Sequence, residues 1–455
     1  MTVQTETQTL PVAFDATAPR IRWGFGEIFV VSQTALPALL FLPGMQAIRL
    51  PIRVAAFGIS LAALLWWALS STPRLPASKA QSWVVSIMAL LALMLFHPKT
   101  PTLEGGLAHM AVYLAVMAPL LWAPAFVSSP ERLGRILWLL LLCSGCNAIV
   151  GVLQVYDPAR WLPAEFSNVI SGNSMAMGTV TFTGINGQHL VRPPGLFDTP
   201  GAVAGPAMSA ALLGLIFAMS AIPMWKRLLS FVFAGAGFAA IYLSQVRVSL
   251  VMATLTLAVY AFTLFRQRRV ARATQFTLIA AGIVFGSFLL AVALGGQAIT
   301  DRVMTLIGVN PIDVYQTARG AQLTVTFQQL LFEAPFGSGL ARWGMASMYF
   351  STFNGLYKPI WAEIQFTGWV IDGGILMVVL YCSALLITSL AEWRIAMMRH
   401  LPMLSTCGAV ILSLNIGAAM LIFSFTPFVT QIGIQYWFLA GALHGVAVRH
   451  GLEGA

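Results

Sequence analysis

Four residues between positions 192 and 363 place charge where charge is costly. Arg192 precedes PPGLFDTPG, Arg247 stands between LSQV and the apolar run VSLVMATLTLAVY, and Arg319 opens RGAQLTVTFQQLLFEAPFGSGLARWG. Glu363 lies in KPIWAEIQFTGWVIDGG, at the start of another apolar run. Guanidinium groups grip phosphate oxygens through paired N–H donors and keep their charge. A carboxylate flanked by Trp361 and Ile364 is expected to feel desolvation that raises its pKa, which suits a proton acceptor or donor. Such residues could hold an anion and move a proton beside it. Ordinary readings stand next to these. Arg247 could be an interface anchor, Arg319 a solvated loop residue, Arg192 a structural cap, and Glu363 a salt-bridge partner of a nearby arginine. Arg302, Arg342 and Lys358 are further cations of the same stretch, without assigned roles.

The elements that must carry these residues follow from composition. The chain has 455 residues, 58% hydrophobic and 9% charged. Soluble domains carry roughly 25% charged residues, so a soluble enzyme, a disordered chain and a nucleic-acid-binding domain are excluded. Uninterrupted apolar runs, rather than alternating ones, also exclude an outer-membrane barrel. The fold class is an all-α polytopic membrane protein with about 12 transmembrane helices. The spans are expected near 24–43, 53–70, 82–97, 106–126, 135–155, 201–223, 228–243, 247–265, 274–296, 367–391, 401–421 and 428–447. The segments 228–243 and 247–265 could also be one kinked helix. Residues 1–23 form a polar N-terminal tail without a cleavable signal, 24–447 a single transmembrane domain, and 448–455 a second tail. Cys143, Cys146, Cys382 and Cys407 lie inside apolar runs and suggest neither a disulfide framework nor a metal site.

With both tails in the cytoplasm, 15 of the 25 basic residues fall in the tails and short inside loops, above all in RQRRVAR at 266–272. That is the positive-inside pattern. Two long loops, 156–200 and 298–366, then lie outside and hold the cations named above. Loops of this length are usually functional. Their aromatic residues (Trp161, Phe166, Phe182, Phe327, Phe332, Trp343, Tyr349, Phe350 and Phe353) suggest packed caps. From 319 to 332 the apolar residues recur at helical spacing, predicting an amphipathic helix that starts at Arg319 and ends at Pro335. Gly337 and Gly339 then make a tight turn. Gly195, Gly201 and Gly205 mark the close approach of RPPGLFDTPGAVAG to a span. Apart from Glu27 and Asp372 near span ends, the spans are nearly free of charge.

Four segments, in order, resemble elements of the O-antigen ligase and Wzy-type polysaccharide polymerase superfamily. RPPGLFDTPGAVAG resembles R-x-x-G-x-F-x-x-P-N-x-x-G, and LSQVRVSLVMATLTL resembles L-S-x-S-R-x at the start of a span. ARGAQLTVTFQQLLFEAPFGSGLARWG resembles the large-loop element R-x-x-x-W followed by P-x-x-G-x-G. EIQFTGWVIDGGILMVVLY resembles H-N-x-Y-L-Q-x-x-x-E-x-G-x-x-G. Together they cover residues 190–385. The family Asn is Ala202 or Val203 here, and the family's loop His, Asn and Tyr fall on Glu363, Ile364 and Phe366.

The resemblance implies a GT-C-type glycosyltransferase of the bacterial inner membrane, with its active site facing the periplasm and no metal or other cofactor. Its implied partners are a polyprenyl-diphosphate-linked oligosaccharide donor, a glycan acceptor, membrane lipids and, for some members, a chain-length regulator; nucleic acid is not among them. By position, Arg247 and Arg319 match the diphosphate-holding arginines, Glu363 takes the place of the base, and Arg192, Arg342 and Lys358 are substrate-binding candidates. The leading expectation is a Wzy-type polymerase. The alternatives are an O-antigen ligase acting on lipid A–core and, in another class, a polysaccharide or lipid-linked glycan transporter or flippase.

Overall fold

The computed structural model describes residues 22–42, 44–71, 75–163, 180–183, 189–308, 310–350 and 359–452. Twelve helices make the bundle among these residues. They are α1 (Phe25–Ala38), α2 (Arg49–Leu69), α3 (Lys79–Met94), α4 (Leu103–Phe126), α5 (Pro130–Tyr156) and α6 (Ala204–Ala218). The second six are α7 (Met224–Leu243), α8 (Arg247–Arg266), α9 (Val270–Gly295), α10 (Gln365–Ala396), α11 (Pro402–Met420) and α12 (Gln431–Arg449). Eight of them, α2, α4, α5 and α7 to α11, are long and apolar enough to cross a membrane. Three shorter apolar helices, α1 with its extension to Phe41, α3 and α6, pack with them. The architecture is that of an all-α multi-pass membrane protein.

Local sequence sets where these helices begin. Ser78, Thr102, Ser129 and Thr430 each accept a backbone N–H of the first turn, and Pro130 fills the first position of α5. Inside the bundle, small residues let backbones touch. A Cβ on Gly441 would lie 2.7 Å from the Pro119 carbonyl, and one on Gly214 2.6 Å from that of Ser230. Close packing of this kind holds helices together where lipid removes the usual hydrophobic drive. An aromatic core of Trp122, Trp369, Tyr381, Phe428, Trp437 and Phe438 fills the centre.

The segments 228–243 and 247–265 are two helices and not one kinked helix. Contacts at their ends fix their directions. α7 starts where the Lys226 ammonium sits 5.4 Å from the Trp138 ring, near the start of α5. It ends where Arg192 and Arg302 reach the carbonyls of Ser244 and Gln245. α8 starts there and ends where Gln267 donates to the Ala396 carbonyl, at the end of α10. The chain therefore reverses within Ser244–Val246, and Gln245 takes a positive φ of 60° to do so.

The two long connections meet at one end of the bundle. In the first, β1 (Thr181–Thr183) pairs antiparallel with β2 (His189–Val191), Thr181 facing Val191. In the second, a helix over Gln297–Ile307 is followed by a longer helical run from Pro311 to Glu333. That run starts eight residues before Arg319, not at it. Asn310 caps it by accepting the Ile312 N–H, and Pro311 takes the first position. It stops before Pro335 as expected, and Gly337 and Gly339 have φ of 97° and 88°. The expectation of packed caps holds for Trp343, which is 2% exposed, and fails for Phe332, which is 80% exposed, and for Phe327, Tyr349 and Phe350, which are also exposed. Phe166 and Phe353 lie outside the described residues.

Candidate functional site

The turn between α7 and α8 is the nucleus of the site. Arg302 donates through Nε and Nη2 to the Gln245 carbonyl, at 3.3 and 3.2 Å. Arg192 donates through Nε to the Ser244 carbonyl at 3.4 Å. Arg247 opens α8 one residue beyond the turn, and its Nε is buried without a hydrogen-bond partner among the described residues. Gln245 itself is 2% exposed, and both of its side-chain amide atoms also lack a partner there. Unsatisfied buried polar atoms are rare in native folds and mark places where a ligand or water completes the bonding.

Arg192 is held there by its own loop. Its N–H donates to the Val180 carbonyl, extending the β1–β2 pairing, and its carbonyl accepts the N–H of Gly201. Gln154 of α5 pins the same loop by bonding both the N–H and the carbonyl of Gly195, each at 2.8 Å. Gly195 has φ of 67°, and a Cβ there would fall 2.1 Å from the Asn147 side-chain oxygen. Only glycine fits this position. Gly205, expected to serve close approach as well, has ordinary room beside Ile432.

Arg319 joins from the second loop. It lies in a widened π turn, Gln316–Gly320, within the helical run. Such turns occur often at functional sites. Its guanidinium forms an ion pair with Glu363. Gln322, one turn on, holds the strand that carries Glu363: its Nε2 donates to the Trp361 carbonyl at 2.7 Å, and its Oε1 accepts the Glu363 N–H at 3.0 Å. Tyr315 donates to the Phe423 carbonyl at 2.9 Å, and Thr326 bonds Thr367, tying the helical run to the bundle.

These arginines share one electrostatic field. Burial, then Arg247, then Arg192, push the Arg302 guanidinium down to about 10. Burial and then Arg319 lower Arg192, and burial lowers Arg319. Like charges gathered in a partly dry place repel, and an anion between them relieves that cost. Among the four, Arg302 was without a role in the sequence reading. A signal was available: it sits at helical spacing in a polar stretch just after a span.

The remaining sequence candidates separate. Arg342 lies apart from the cluster, its Nη1 3.5 Å from the Lys99 carbonyl in the α3–α4 connection. Lys358 lies outside the described residues. Asp198, in the RPPGLFDTPG loop, is 4% exposed and is held by Arg53 at 2.6 Å and Arg49 at 3.3 Å. Glu363 stands two residues before α10, and its side chain is 31% exposed.

Asp372 proves to be a second kind of carboxylate. It is fully buried and takes hydrogen bonds from Tyr113 at 2.8 Å and Trp343 at 2.9 Å, with His109 Nε2 at 3.1 Å. α10 breaks just beyond it, at Gly373 and at Gly374, whose φ is 63°. The loop after Pro335 fills the break. Ile375 donates to the Pro335 carbonyl at 2.9 Å, and Ser338 donates to the Ile371 carbonyl at 2.6 Å. Asp372 thus fastens the second loop, through Trp343, to α4 and α10.

Comparison with known protein families and with characterised proteins finds no match to this chain.

Proposed function

We propose that the protein is a metal-independent, inverting glycosyltransferase of the Wzy polysaccharide polymerase type, seated in the bacterial inner membrane with twelve spans in a GT-C-type arrangement. It transfers polyprenyl-diphosphate-linked oligosaccharide units to a sugar hydroxyl at the periplasmic face, in exopolysaccharide, capsule or O-antigen synthesis. The observation that carries this reading is the convergence of Arg192, Arg247, Arg302 and Arg319 with the carboxylate of Glu363 at the loop-bearing end.

The chemistry follows from the charges. The acceptor hydroxyl oxygen attacks the anomeric carbon as the bond from that carbon to the diphosphate oxygen breaks. The electron pair leaves with the diphosphate, where negative charge grows. Guanidinium donors aimed at that charge supply on the order of a few kcal/mol each in a partly dry site. The acceptor's proton goes to Glu363, which the ion pair with Arg319 positions and whose partial exposure lets a hydroxyl reach it. Attack from the face opposite the leaving group inverts the anomeric centre.

A transporter is the rival class. Transporters commonly break a helix so that freed backbone groups bind the cargo. α10 is broken, but Pro335 and Ser338 take up backbone groups at the break. That observation favours the enzyme.

The deciding experiment incubates purified protein with polyprenyl-diphosphate-linked repeat units and separates the products on a gel. A ladder of longer glycans is expected. Transfer only after addition of lipid A–core makes it a ligase. Movement of the donor across proteoliposomes without transfer overturns the enzyme reading.

A further inference from the structure

A polar cavity lies at the loop-bearing end, away from the four arginines. Its volume is about 310 Å³, and Lys99, Arg342, Glu333, Ser338, Leu330 and Ile360 line it. Three separate stretches of chain meet there. Lys99 comes from the α3–α4 connection, Leu330 and Glu333 from the last turns of the helical run, and Ser338 and Arg342 from the loop lodged in the α10 break. The arrangement is held firmly: the Leu340 N–H donates to Thr100 Oγ1 at 3.1 Å, the Ile360 N–H to the Arg342 carbonyl at 2.7 Å, and Arg342 Nη1 reaches the Lys99 carbonyl. The field inside is positive. The neighbouring His97 ring is held below its ordinary value by burial and then by Lys99 and Arg342.

We infer that this cavity is a glycan subsite that takes a carboxylate-bearing sugar. Lys99 and Arg342 bind the carboxylate, the second as a planar fork. Glu333 and the Ser338 hydroxyl bond sugar hydroxyls. Hydroxyl-binding groups beside the two cations fit a sugar acid better than a bare inorganic anion, which has no hydroxyl array to offer them. The volume equals that of about ten waters, far more than a small ion fills. From Arg319 to Leu330 and Glu333 the helical run advances about 15–20 Å at 1.5 Å per residue. A short oligosaccharide covers that span, so a sugar held here belongs to the same chain as one reacting at Glu363. The glycan class rests on the glycosyltransferase reading; the cavity and its charges do not.

The test is equilibrium binding to the purified full-length protein, with trigalacturonate, the neutral maltotriose and inorganic phosphate as probes. Trigalacturonate is expected to bind on the order of tenfold more tightly than maltotriose, and phosphate not to compete. Lys99→Ala, at an exposed position, and Arg342→Ala should each weaken trigalacturonate by about tenfold, and Arg342→Lys should restore part of it. Arg247→Ala should leave it unchanged. Equal binding of the acidic and neutral probes overturns the inference. So does competition by phosphate, or loss of trigalacturonate binding in Arg247→Ala but not in Lys99→Ala. Selective binding by a protein that transfers no lipid-linked glycan removes the enzymatic reading and leaves the acidic-sugar site standing.

Discussion

At the end of the bundle where α1 begins, Glu27 is fully buried and gripped by Arg132 through two bonds of 3.0 and 3.1 Å, with Arg135 at 3.9 Å. Arg449 there donates to the carbonyls of Pro124, Val127 and Gly445. At the loop-bearing end, Asp198 treats Arg49 and Arg53 in the same way. The cluster beside it is different. Arg192 and Arg302 donate to the carbonyls of Ser244 and Gln245, Arg319 pairs with Glu363, and Arg247 stands beside them. The Glu27 and Asp198 pairs each close a carboxylate against its arginines, whereas at the α7–α8 turn several guanidinium groups share one field.

Glu363→Gln breaks this comparison most sharply. It removes the proton acceptor but keeps the side-chain shape, and it frees Arg319 for the donor. Turnover should fall by about 10²–10⁴, the usual worth of a positioned acid or base, while binding of the lipid-linked donor is retained. A variant that turns over at the wild-type rate makes Glu363 a structural partner of Arg319. At the opposite end, Arg132→Ala leaves Glu27 buried without its main partner. That should cost about 3–5 kcal/mol of stability, read as a lower midpoint in detergent unfolding. An unchanged midpoint would remove the contrast between the two ends.

Arg247→Ala sharpens the comparison from the other side. Its guanidinium Nε has no hydrogen-bond partner among the described residues, so its loss should scarcely move the unfolding midpoint. Polymer formation should fall by about 10²–10³, as when one transition-state donor is removed. A large fall in stability with intact transfer would make it a structural cation.

The parts of the molecule legible in its sequence are those set by local pattern. The apolar segments fall on helices because hydropathy is local, and among the described residues eight of these helices are long and apolar enough to cross a membrane. The separation of α7 from α8 was left open because Ser244-Gln245-Val246 contains no glycine or proline to announce a reversal, and Gln245 adopts the positive φ itself. The true start of the helix carrying Arg319 was readable from Asn310-Pro311, a cap residue followed by proline, but the apolar periodicity drew attention downstream. Arg247, Arg319 and Glu363 stood out because charge beside a span is rare. The partners of Asp372 and Asp198 did not. His109 lies 263 positions from Asp372, and Arg53 lies 145 from Asp198, so only the packing of the helices brings them together. Arg302 is visible as an outer cation, but its place beside Gln245 arises only where two loops meet.

The smallest effect concerns pH. Arg302 is held near 10, against an ordinary value of 12.5, by burial and by Arg247 and Arg192. The unfolded chain therefore binds more protons than the folded one above about pH 10. Stability carries a cost from this cation below that pH, and the cost is relieved as pH rises through it. Donor affinity should move the opposite way, because the cation that grips the diphosphate is the one being lost. A bound diphosphate also favours the charged guanidinium, so binding near pH 10 should take up protons, measurable by calorimetry in buffers of different ionisation enthalpy. Affinity is expected to fall a few-fold through about pH 10 in the wild type, and to stay flat in Arg302→Gln over the same range. A flat wild-type profile without proton uptake would assign Arg302 to holding the α7–α8 turn and leave the diphosphate to Arg192, Arg247 and Arg319.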